Sequence, residues 1–165
     1  MIAFKKAMAL WGSVAALVLC GINSSVADSA ADLAALHAAD EAFVSAYNGR
    51  DAAAVASLYD EHAVLLPPGS APVDGRAAIR AFFVRDIAES EKAGVAFKLG
   101  ANPAGGVSGS MGWASGTFTV VDKSGHIVDS GKYLSVSRKK DGKWLYVRDT
   151  WNSDGQPPAA PAAKK

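Results

Sequence analysis

The chain has 165 residues, enough for one domain around one core. Its 17 Lys+Arg stand against 16 Asp+Glu, and no basic stripe or block of like charge occurs, which speaks against a nucleic-acid partner. Cys20 is the single cysteine, so neither disulfides nor a zinc–thiolate centre can organise the fold.

The first 27 residues read as a secretory signal peptide. Lys5 and Lys6 precede an apolar run from Ala7 to about Ile22, and Ser25-Val26-Ala27 puts small residues at a cleavage site before Asp28. Gly12, Ser13 and Gly21 dilute the run below what a membrane span needs. Leu19 stands before Cys20, where a lipoprotein signal has a small residue. The expectation is an exported protein, periplasmic or extracellular, with no stable membrane anchor after cleavage. Its mature chain is near neutral and free of cysteine.

In the mature chain, Leu33, Leu36, Phe43, Val44 and Tyr47 recur at helical spacing over 30–48, and Gly49 can end that helix. Asp51 can cap a short helix, "AAAVASLY". "AVLLPPGSAPV" reads as a strand, a Pro-Gly turn and a short return. Asp74 can cap a third helix over 76–92, with Ile79, Phe82, Phe83 and Ile87 as its stripe. Strands follow at 95–99, 107–121, 127–138 and 143–152, the last pair joined by a tight "KKDG" hairpin turn. Glycines 105, 106, 109, 112 and 116 are expected to bend the strands. "DGQPPAAPAAKK", from 154, reads as a disordered Pro/Ala-rich tail. Helices first and antiparallel strands after predict an α+β fold, a strongly curved antiparallel sheet with three helices on its concave face.

Three stretches, "ADEAFVSAYNGRDAAAVASLYDEHAVLLPPG", "DGRAAIRAFF" and "GKYLSVSRKKDGKWLYVRDTWNSD", resemble the SnoaL-like group of the NTF2-like superfamily, in particular the set called DUF4440. The resemblance covers about residues 31–154. It implies an NTF2-like (cystatin-like) cone over 28–153 with a pocket inside. Members of that superfamily include isomerases, dehydratases, cyclases, transport factors and kinase association domains, so the fold alone assigns no activity.

Polar residues in apolar places point to a site. At about 100° per residue, Asp40 falls between Leu36 and Val44, in the middle of the first helix's apolar stripe. A carboxylate there must be paired, solvated in a cavity or protonated. It is either a structural group, ion-paired or hydrogen-bonded in the core, or a pocket carboxylate able to act as general base. Strict alternation in 143–152 puts Trp144, Tyr146, Arg148, Thr150 and Asn152 on one face, with Asp149 and Trp151 on the other. On that reading Arg148 reaches Asp40, and Arg148 and Asn152 orient a ligand. Tyr47, Trp113, Phe118 and Tyr133 are the candidate aromatic wall. His37 and His62 can carry protons only if they face the pocket, and no histidine pair has metal-ligand spacing. No cofactor is expected. Three functions remain open: a small-molecule binding domain, a cofactor-free acid–base enzyme, and a homodimeric interaction module using the outer sheet face.

Overall fold

A computed structural model describes residues 15–155, with side chains from Ser29 onward. The whole of the expected signal segment lies outside the described side chains, and the expected tail from residue 156 lies outside the described residues. Helix α1 spans Ala15–Asn48 and so begins well before residue 30, running through the expected cleavage point. Helix α2, Ala52–Ser57, is capped as the sequence predicts: Asp51 Oδ1 accepts from the amides of Ala53 and Ala54, at 3.0 and 2.8 Å. It is shorter than expected. Tyr59 opens strand β1, Tyr59–Leu66, followed by β2, Val73–Asp74. Because Asp74 is paired to Val64, Gly75 takes the N-cap of α3, Arg76–Ala93, and supplies no side-chain cap. Gly94 ends α3 in the left-handed region at φ 68°.

The expected long strand 107–121 is two strands. Gly109 turns at φ 58° between β4, Ala104–Ser108, and β5, Met111–Val121. Strand β3, Ala96–Leu99, pairs with the far half of β5, so β3 and β4 share one edge end to end. Strands β6, Ile127–Lys140, and β7, Lys143–Ser153, are joined at Asp141-Gly142, both at positive φ, as a primed hairpin turn requires.

The sheet order is β2-β1-β7-β6-β5-β3. All pairs are antiparallel except the seam between β1 and β7, which is parallel because the chain crosses from one to the other through α3 and five strands. The helices pack on the concave face. Leu36, Ala114 and Trp144 fill one end of the cone, and Val55, Tyr59, Leu65, Ile79, Phe83 and Tyr146 fill the wall beside α2 and α3. Among the described residues no helix is long and apolar enough to cross a membrane.

Gly112 and Gly116 introduce no bulge. The β5–β6 register is unbroken from Met111 to Val120. Two of the glycines in this pair instead admit rings. A Cβ at Gly116 would lie 2.8 Å from Tyr133 Cε1, and one at Gly131 would fall against the Phe118 ring. Both rings are thereby set down on the inner face, where the site lies.

Candidate functional site

The cone encloses a cavity of about 290 Å³. Its wall is aromatic, drawn from α1 (Phe43, Tyr47), α3 (Phe83), β3 (Phe97), β5 (Phe118), β6 (Tyr133) and β7 (Tyr146, Trp151). Phe97 and Phe118 stack at 4.7 Å, and Phe43 meets Phe83 edge-on at 5.5 Å, so the wall is a connected set of rings.

Asp40 is 5 % exposed and lines this cavity. Its partners are two phenols. Tyr146 donates to Oδ1 at 2.6 Å and Tyr133 donates to Oδ2 at 3.0 Å. Burial pushes its carboxyl above the ordinary aspartate range, and the two hydroxyls offset part of that rise.

The expected contact from Arg148 does not form. In the β6–β7 ladder Ser137 faces Tyr146 but Val136 faces Arg148, so Val147 is an extra residue, a one-residue bulge. Beyond it every side chain changes face. Arg148 turns out to solvent and donates to the carbonyl of Val147 at 2.6 Å. Asn152 is exposed on the same outer side. In their place Asp149 and Trp151, expected outside, line the cavity. Trp113 is also outside, 44 % exposed, its indole lying over Gly106 on the convex face. Tyr47, Phe118 and Tyr133 stand in the wall with Asp40. His62 is exposed on β1, and His37 packs toward Gly105 of β4, so neither faces the cavity.

Asp149 completes a second carboxylate–phenol pair. Tyr59, fully buried, donates to its Oδ2 at 2.5 Å, and the Tyr59 and Tyr146 rings lie 5.1 Å apart. Half-buried and lining the cavity, Asp149 has its carboxyl pushed up to about 6. Desolvation is the main cause, the Tyr59 hydroxyl opposes it, and the nearby Asp40 charge adds to it. Burial above all, and then the same two acids, push the Tyr59 and Tyr146 hydroxyls well above their usual value, so both remain neutral donors. A third pair joins Tyr47 to Asp86 Oδ2 at 2.6 Å. Asp129 lies at the rim, accepting from Ser153 Oγ at 2.5 Å.

Chemically, the site offers oriented carboxylates, of which Asp149 can accept a proton near neutrality, phenols that can donate hydrogen bonds, and broad apolar faces. It has no nucleophilic thiol. Among the described residues no group of three or more His, Cys, Asp or Glu is placed to hold a metal ion.

The SnoaL-like domain family matches residues 41–147, the larger part of the chain. The chain belongs to the SnoaL-like domain family. Solved structures place its fold beside NTF2-like, cystatin-like proteins. An NTF2-like protein with a cystatin-like fold from Novosphingobium aromaticivorans superposes with a TM-score of 0.69 at 20% identity, covering 84% of this chain and 90% of that one. An NTF2-like protein from Pseudomonas putida KT2440 gives 0.67 at 16% identity, with 75% and 87% covered. A ketosteroid isomerase-like protein from Erwinia carotovora atroseptica gives 0.59 at 20% identity, with 76% and 98% covered. No curated protein matches the sequence. At these identities the likeness is one of fold, and function has to be argued from the SnoaL-like cavity itself.

Proposed function

We propose that this SnoaL-like domain binds a small, mostly apolar molecule inside its cone, as an exported protein. The observation that carries the reading is the cavity of about 290 Å³, walled by rings and furnished with a few oriented polar groups. That combination marks small-molecule sites, and the volume lies at the lower end of the ~300–1,000 Å³ typical of them, which favours a one- or two-ring ligand. Thermal shift of the full chain against a panel of one- and two-ring molecules tests it. A ligand at about 100 times its Kd adds about 2.7 kcal/mol, a rise in Tm of roughly 10 °C. A panel of varied polarity that moves Tm nowhere refutes the proposal.

A second reading, a cofactor-free isomerase, dehydratase or cyclase, is favoured by Asp149. A carboxyl pushed up to about 6 suits a general base at neutral pH, and Tyr133 and Tyr146, whose hydroxyls donate to Asp40, line the same cavity as the groups to meet a developing negative charge. Turnover of a carbonyl substrate that is lost in Asp149→Asn while binding persists establishes it. Binding without turnover across carbonyl and dienol substrates removes it.

Export is part of the proposal and rests on the first 27 residues. A homodimer is proposed as well. Trp113 and Leu134, exposed on the convex face at 44 % and 46 %, are the apolar side chains such a contact would cover.

A further inference from the structure

We infer that the cavity selects a positively charged ligand: an organic amine, protonated or quaternary, on an apolar ring body. The inference rests on the small-molecule reading above and specifies its chemistry. Four carboxylates line the cavity, each from a different element: Asp40 on α1, Asp86 on α3, Asp129 on β6 and Asp149 on β7. No lysine, arginine or histidine lines it.

None of the four is neutralised from within the protein. The ion pairs among the described residues use Asp32, Asp122 and Asp154 instead. Arg148, next to Asp149 in sequence, is the obvious counter-ion, and the Val147 bulge turns it out of the cone. Arg50 is occupied with Ser90 and the carbonyl of Val95, outside the lining. His37, one turn before Asp40, acts on it at a distance but does not line the cavity.

The groups that do contact these acids are neutral donors: the hydroxyls of Tyr133 and Tyr146 on Asp40, Tyr47 on Asp86, Tyr59 on Asp149 and Ser153 on Asp129, with the backbone amides of Ser130 on Asp129 and Thr150 on Asp149. A hydroxyl fixes a carboxylate's orientation without cancelling its charge. An ionised carboxylate has roughly four lone-pair sites, so each keeps room for a further donor. The acids reach the cavity from four separate elements, and of these Asp40 and Asp149 lie near enough to sense each other's charge. That arrangement suits a charge carried inside a larger body.

The rest of the wall agrees. Phe43, Tyr47, Phe83, Phe97 and Trp151 present ring surface to the same space. An ammonium group is attracted to ring faces as well as to carboxylates. An anionic ligand meets like charge on every side. A neutral one leaves the acids uncompensated in a poorly solvated space.

The test compares three probes of one shape, naphthylmethylamine, naphthylmethanol and naphthoic acid, titrated calorimetrically into the full-length protein at neutral pH. The amine is expected to bind about tenfold or more tighter than the alcohol, and the acid not at all. In Asp40→Asn and Asp149→Asn the ratio of amine to alcohol affinity should fall toward one. An alcohol that binds as well as the amine overturns the inference and leaves the apolar-ligand reading standing. If none of the three binds, that reading falls and the inference with it.

Discussion

Replacing Asp149 by asparagine keeps size and shape and removes only the charge. In the fold this carboxyl titrates near 6, against 3.8 for an unperturbed aspartate. Each pKa unit is worth about 1.4 kcal/mol, so the ionised form costs the native state about 3 kcal/mol at neutral pH. The sign is that of a raised acid. Between 3.8 and 6 the native state holds the proton and the unfolded chain does not, so stability falls as pH rises. Asp149's contribution is fully present below pH 3.8 and is lost as pH passes 6. Asparagine has no such titration. Its amide can also donate to the Tyr59 oxygen, while its carbonyl accepts in the carboxylate's place. Urea unfolding of parent and Asp149→Asn at a series of pH values gives the difference directly. From about pH 3.5 to about pH 7 the variant should gain about 2–3 kcal/mol on the parent, most of it between pH 4 and 6. Asp40, also raised, titrates in both proteins and largely cancels in the subtraction. A difference that is flat with pH, or that moves against the variant as pH rises, refutes the account of a desolvated Asp149.

Tyr146→Phe removes the shorter of Asp40's two hydrogen bonds and should cost about 1–3 kcal/mol in urea unfolding. The loss should be larger at pH 8 than at pH 4, since the hydroxyl stabilises the ionised acid, and an equal loss at both counts against that role. Gly131→Ala drives a methyl into the Phe118 ring and the Asn152 carbonyl oxygen and should destabilise by about 1–3 kcal/mol. An unchanged Tm would show that Phe118 is not seated where the wall needs it. The exported protein should begin at Asp28, and a mass that retains the first 27 residues speaks against the signal peptide.

Much of this was legible in the sequence, for local reasons. The apolar periods, the Asp51 cap and the Asp141-Gly142 turn depend on neighbours within a few residues, and the structure keeps them. Asp40 was legible too, because a charge inside a helical stripe is visible at 3.6-residue spacing. The same signal was present in α3 and was missed. At about 100° per residue Asp86 falls between Phe82 and Ile79, within the stripe of Ile79, Phe82, Phe83 and Ile87. Trp113 could also have been set aside, since it stands five residues from Phe118 in one strand and an odd spacing puts the two on opposite faces. The Val147 bulge is different in kind. It is fixed by how β7 pairs with β6 on one side and, in parallel, with β1 on the other, contacts distant in sequence. No local pattern marks it. That one residue exchanges Arg148 and Asn152 for Asp149 and Trp151, and so changes the cavity from one with a cation to one whose charged lining residues are all acids.

The most direct test of the account is to fill the cone. Val120 lines the cavity and is only partly buried, so Val120→Phe places a ring in the empty space without displacing a tightly packed core residue. Binding of naphthylmethylamine is measured on the parent and on this variant, with circular dichroism and Tm confirming that both are folded. The account predicts binding to the parent and its loss in a folded variant. Equal binding to both would place the ligand site outside the cone and contradict the claim on which the rest depends.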